Sequence, residues 1–119
     1  MFYVRNYFYH FYDNVRTRGL QRNVIPIRGD SSYTLGMHRD ESLSFGFIDG
    51  DHSYEGVTAD LEAMYPKIKK GGVLLLHDVL NTGEILNPAA VALRDFCTAT
   101  KVTCEFMLAG TEMARVIVL

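Results

Sequence analysis

Cysteine is scarce in this sequence: Cys97 and Cys104 are the only two in 119 residues. They form no Cys-x-x-Cys pair and no disulfide framework. A disulfide-stapled secreted scaffold is therefore excluded, and free thiols in a reducing compartment are expected. Charge of one sign is lacking too. The net charge is −2, and Lys69-Lys70 is the one notable basic pair. That leaves no electrostatic case for nucleic acid or an anionic membrane as a partner. No apolar run approaches the roughly 20 residues of a transmembrane helix. Met1 to Asn6 contains no basic stretch leading into a long apolar run, so no signal peptide is expected and a cytoplasmic location is. What the sequence does contain, 48% hydrophobic and 22% charged residues, suits a chain that folds around a core. Its length suits a single domain over residues 1–119.

Helical and strand periods alternate along the chain. Phe8, Phe11, Tyr12 and Val15 recur at helical spacing within 3–18, where their aromatic rings read as core, and Gly19 is placed to end that helix. Asn23 to Arg28 reads as a short strand, at an edge because Pro26 cannot donate to a ladder. A short helix or turn is expected over 32–38, then a strand from Leu43 to Asp49. Ser53 can cap a helix whose apolar stripe is Tyr54, Val57, Leu61, Met64, Tyr65 and Ile68. Pro66 ends or kinks it, and Gly71-Gly72 reads as a turn. Val73 to Leu76 is apolar on both faces, as in the middle of a helix-covered parallel sheet. A helix over 88–98 with Pro88 in its first turn follows. Strands near 103–108 and 113–119, joined through Ala109-Gly110-Thr111, then form an antiparallel hairpin. The order α-β-α-β-α-β-α-β-β defines an α/β fold, mostly parallel, with a C-terminal antiparallel hairpin.

Open α/β sheets bind ligands beyond the carboxyl ends of their strands. Three such ends carry polar groups here: Asp30-Ser31, Asp49-Gly50-Asp51-His52 and His77-Asp78. An acid or imidazole next to an apolar strand costs free energy without a partner, so three on one edge suggest a site. Asp49 and Asp78 end sequential strands, which in a parallel sheet lie about 4.8 Å apart as neighbours. They could share a divalent cation, with His77 as third ligand and Mg²⁺ or Ca²⁺ suited to the oxygen donors. Strand alternation leaves open whether His77 and Asp78 face the same side. His52 could act as general base. The plainer reading is that Asp51 caps the helix beginning near Tyr54 and that His52 only bonds backbone.

The run Phe47-Ile-Asp-Gly-Asp-His-Ser-Tyr-Glu-Gly56, then Asp60-Leu61, then Lys70-Gly-Gly-Val-Leu-Leu-Leu-His-Asp-Val79 resembles methyltransferase family 24, an O-methyltransferase-like group of class I enzymes. Asn14 to Ser31 resembles the family's third-strand region, which commonly ends in Gly-Asp-Ser. The resemblance implies a Rossmann-like sheet of seven strands with a C-terminal antiparallel strand. It implies methyl transfer from S-adenosylmethionine, usually to oxygen, with a small-molecule acceptor. Asp30 and Ser31 would then lie near the adenine, with Asp49 and Gly50 on the cofactor. In related metal-dependent enzymes an acid occupies the position of Asp49, a catalytic base that of His52, and an Asp-Asn pair that of His77-Asp78. The resemblance thus implies His52 as base and Asp49, Asp78 and His77 around a metal, Mg²⁺ being the candidate.

The family's glycine-rich turn has no counterpart here: no Gly-x-Gly-x-Gly precedes Asp30. The expected sheet is therefore a truncated one. In the family sheet the first strand lies beside the fourth, so Leu43–Asp49, with Phe45 and Phe47, is left with a bare edge. Either Asn23–Arg28 repacks against it or two chains complete each other's sheet as a homodimer. Two rival readings follow. One is a non-catalytic truncated methyltransferase domain that acts through self-association. The other is a metal-dependent phosphohydrolase, for which Asp49 and Asp51 would be the acidic pair after an apolar strand. The acceptor is not legible, although Glu84 to Asn87 could line its pocket.

Overall fold

The computed structural model describes residues 7–80, 86–106 and 112–119. The chain divides into two compact units, Met1–Asp30 and Ser31–Leu119, and each is described by itself.

The first unit is built on helix α1, Tyr7–Thr17. Gly19 adopts a left-handed φ of 68°. Its N–H donates to Arg16 O at 3.1 Å and that of Leu20 to Val15 O at 3.0 Å, which satisfies carbonyls the helix end would leave open. Of the face expected to be core, Val15 is buried and Phe8 partly so, while Phe11 and Tyr12 are exposed. The expected strand over Asn23–Arg28 does not form; that segment is irregular. Pro26 withholds a donor, and a strand without a ladder partner has nothing to offset the ordering of its backbone. The expected repacking of this segment as a strand on Leu43–Asp49 is therefore not found.

The second unit opens with α2, Ser31–Leu35, and continues through β1, Leu43–Ile48, to α3, Tyr54–Met64. Ser53 caps α3 by accepting from Gly56 N at 3.0 Å. A single 3₁₀ turn, Tyr65–Lys67, carries Pro66 and leads into β2, Ile68–Leu76. The strand therefore begins at Ile68, five residues before the apolar run, and takes in Lys69, Lys70, Gly71 and Gly72. The sequence reading put Gly71-Gly72 in a turn. The structure makes it an irregularity within the ladder, where Leu43 pairs with Ile68 but Phe45 with Val73. Gly71, at φ 82°, supplies the conformation that this extra length requires. Helix α4, Pro88–Thr100, and the strands β3, Cys104–Phe106, and β4, Ala114–Ile117, complete the unit. The connection read as Ala109-Gly110-Thr111 lies outside the described residues.

The sheet order is β1-β2-β4-β3, with β1 parallel to β2 and β4 antiparallel to both of its neighbours. Three of the four strands thus point one way. The pairing aligns two rows across the sheet, Gly46-Leu74-Val116 and Ile48-Leu76-Ala114. All six of these residues are buried. Val57 and Leu61 of α3, and Ala89, Ala90, Leu93 and Phe96 of α4, join them in one core. The expected hairpin is present, tied on its outer face by Arg115 Nε donating to Glu105 Oε2 at 2.7 Å.

Gly72 is held to its size. A Cβ there would lie 2.8 Å from Lys69 O and 2.9 Å from Ser44 O, both backbone atoms that cannot swing aside. Gly72→Ala is expected to destabilise the chain by about 1–3 kcal/mol in thermal or urea unfolding.

Candidate functional site

The register of β1 on β2 sets Ile48 opposite Leu76, so that the next residues, Asp49 and His77, leave the sheet side by side. His77 N donates to Ile48 O at 3.1 Å and extends the parallel pairing past the last strand residues. Strand alternation would send His77 and Asp78 to opposite faces. It lapses here because Asp78 adopts φ 59°, a left-handed conformation uncommon for a residue with a Cβ. The turn is supported from α4. Asn87 Nδ2 donates to Asp78 O at 2.7 Å, and Asn87 Oδ1 accepts from Leu80 N at 3.1 Å and from Ala90 N at 2.9 Å. One side chain thus caps a helix and fixes the loop after β2.

The result is a cluster of four side chains. His52 Nε2 lies 3.0 Å from Asp78 Oδ2. His77 Nδ1 lies 3.1 Å from the same oxygen and 3.4 Å from Asp49 Oδ1. Ligand atoms of Asp49, His52 and Asp78 all fall within 4.8 Å of one another. Of the expected metal set, Asp49 and Asp78 fall in this group with His52; His77 contacts both carboxylates but is not part of it. Asp51 stays apart: its Oδ1 accepts from Ser53 N at 2.9 Å, and that bond is the first cause of its lowered pKa. Asp51 does not cap α3, whose N-cap is Ser53; it holds the turn before that cap.

A cavity of about 320 Å³ adjoins the cluster, lined by Ser31, Leu35, Phe47, Asp49, Gly50 and Asp60 among others. Ser31 and Gly50 therefore line one cavity with Asp49. Asp30 is exposed and closes the first unit. Asp60, part of the family motif in the sequence, is given no role there. It accepts from Ser31 Oγ at 2.6 Å, and a Cβ on Gly50 would come within 3.3 Å of its Oδ2. Lying off the apolar stripe of α3, Asp60 reads as a solvated carboxylate; only the packing of α3 beside α2 and β1 turns it to the cavity. Glu84 lies outside the described residues, and Asn87 is occupied in capping.

The sheet, with this cavity at the carboxyl ends of parallel strands, has a Rossmann-like α/β architecture. Residues 3–79 match the model of methyltransferase family 24, described as a methyltransferase domain, and the chain belongs to that family. Among solved structures, the O-methyltransferase NovP superposes with a TM-score of 0.64 at 18% identity, over 89% of this chain and 44% of that one. A protein from Corynebacterium glutamicum superposes with a TM-score of 0.57 at 16% identity, over 92% of this chain and 57% of that one. The chain therefore spans about half the length of these structures, and at such identities the likeness is one of fold. Comparison with curated proteins finds no match. No helix among the described residues is long and apolar enough to cross a membrane.

The pKa of His77 is raised, chiefly by its hydrogen bond to Asp78; desolvation opposes this, and the charges of Asp78 and Asp49 add to the rise. In the cation-free chain its NMR titration should have a midpoint above the ordinary 6.5, and Asp78→Asn should lower it. The stabilisation this imidazolium contributes is complete below the ordinary value and is lost as pH rises through the raised one.

Proposed function

We propose that this chain carries the acceptor end of a methyl transfer from S-adenosylmethionine to an oxygen of a small molecule. The observation that carries the reading is His52 held at 3.0 Å by Asp78 beside the cavity that Asp49 and Gly50 line. Family membership supports the reaction class. The lining fits the cofactor's parts. Leu35, Phe47 and Met64 offer an apolar surface to a purine, and Asp49 and Asp60 offer acceptors to hydroxyl or ammonium groups. When bound, S-adenosylmethionine supplies a sulfonium methyl open to in-line displacement.

The chain's own residues have three tasks. Ser31 and Asp60, joined by their hydrogen bond, shape the cavity next to Gly50. His52 accepts the proton of the acceptor hydroxyl through a ring nitrogen, and Asp78 orients the ring and stabilises the imidazolium that forms. Asp49 and Asp78 are the carboxylates that would hold a divalent cation, whose chemistry would be to lower the pKa of that hydroxyl. The free thiols Cys97 and Cys104 are consistent with work in the reducing cytoplasm.

Calorimetry of the 119-residue chain with S-adenosylhomocysteine tests the reading. Micromolar binding is expected, and a folded chain that binds none would overturn it. His52→Ala should leave that affinity unchanged and lower the transfer rate by about 10²- to 10⁴-fold.

One further observation favours self-association beside this activity. Among the described residues β1 pairs on one side only, and it exposes Phe45 by 56% and Phe47 by 46%. Unpaired edges of this kind invite strand addition, and we propose a second copy of the chain as the occupant. Sedimentation equilibrium should show a dimer that Phe45→Lys dissociates; a monomer at all concentrations would refute this.

A further inference from the structure

The bare edge of β1 and the irregular segment after α1 are complementary in backbone and side chain. Resting on the self-association reading, we propose that two copies of the chain exchange that segment. Residues 25–27 of each copy add to β1 of the other as an antiparallel edge strand, with Ile25 opposite Phe47 and Ile27 opposite Phe45.

The ladder fixes which groups of β1 are on offer. His77 N donates to Ile48 O, so the backbone groups of Ile48 point to β2. The N–H and C=O of one strand residue leave on the same side, and the side alternates along the strand. Those of Gly46 therefore also turn to β2, and those of Phe45 and Phe47 turn to the bare edge. The side chains of Phe45 and Phe47 lie on the face opposite the buried Gly46 and Ile48, and both are exposed.

The segment after α1 alternates to match. Ile25 and Ile27 are 77% and 51% exposed and are spaced as Phe45 and Phe47 are. Residues opposite each other in an antiparallel pair share a face, and bonded pairs alternate with unbonded ones. The proposed register makes Ile25/Phe47 and Ile27/Phe45 the bonded pairs and sets isoleucine beside phenylalanine on the exposed face. Pro26 then falls opposite Gly46, where neither strand directs a hydrogen bond to the other and its missing donor does no harm. Val24 N, on the far side in this register, keeps its bond to Leu20 O. Parallel addition with the same faces matched would need a donor from Pro26.

Charge favours the same pairing. Residues 1–30 carry five arginines against two aspartates, and residues 31–119 carry seven lysines and arginines against twelve acids. The first unit of one copy is thus attracted to the second unit of the other. Each copy has one segment to give and one edge to fill, so a reciprocal exchange closes at the dimer.

Sedimentation equilibrium on the whole chain tests the exchange, with circular dichroism to confirm that each variant is folded. Ile27→Pro removes a donor that the exchange requires, in a segment without regular structure, and should weaken dimerisation at least about tenfold. Pro26→Ala should dimerise at least as tightly as the unaltered chain, and a loss there would overturn the register. Amide hydrogen exchange gives a second readout. The amides of Phe45 and Phe47 should be slow in the dimer and fast in Ile27→Pro, with that of Gly46 slow in both. A dimer that Phe45→Lys dissociates and Ile27→Pro does not would overturn the exchange and leave self-association standing. A chain that is monomeric at all concentrations overturns both.

Discussion

The parallel pairing of β1 with β2 is the constraint on which the rest of the second unit depends. It sets Ile48 opposite Leu76, so two strand ends that are 28 residues apart in sequence release their polar residues at one place. The same register aligns the buried rows Gly46-Leu74-Val116 and Ile48-Leu76-Ala114 beneath α3 and α4. A one-residue slip would turn those side chains to the opposite face and separate Asp49 from His77. Core and site are therefore secured by one ladder. The burial of Leu74, Leu76 and Ile48 supplies the free energy that holds four titratable groups close together.

Close placement of two carboxylates and two imidazoles needs local support as well. Asp78 reaches its left-handed conformation at a cost of order 1 kcal/mol or more. The Asn87 side chain, bonded to Asp78 O, Leu80 N and Ala90 N, anchors the turn to the first turn of α4. The core that α4 contributes, Ala89, Ala90, Leu93 and Phe96, is thus linked by one residue to the orientation of the site. Contact of each histidine with a carboxylate completes the arrangement.

Much of this was legible from residue order. Apolar strands that stop at Asp49 and at His77-Asp78 located the site, because a charged group next to a buried strand needs a partner. Ser53 and Pro88 marked the starts of α3 and α4, and Gly19 the end of α1. The misreadings share a cause, which is that strands are defined by partners. Asn23–Arg28 has the composition of a strand and no ladder. Ile68–Gly72 looks like a helix end and a turn, yet it pairs with Leu43 and carries an irregularity at Gly71. The aromatic positions of α1 follow a helical period, but period alone does not bury Phe11 or Tyr12.

The sequence by itself determined the α/β class, the family and the identity of the groups at the strand ends, because those follow from local pattern and from side-chain chemistry. Only the tertiary structure decided which groups meet. It brought His52 to Asp78, set both histidines on one carboxylate oxygen, turned Asp60 to the cavity through Ser31, and left β1 at the edge of the sheet. These outcomes depend on register, on a single left-handed residue and on the packing of α3 beside α2 and β1. They are relations between segments distant in sequence, and no window of residues encodes them.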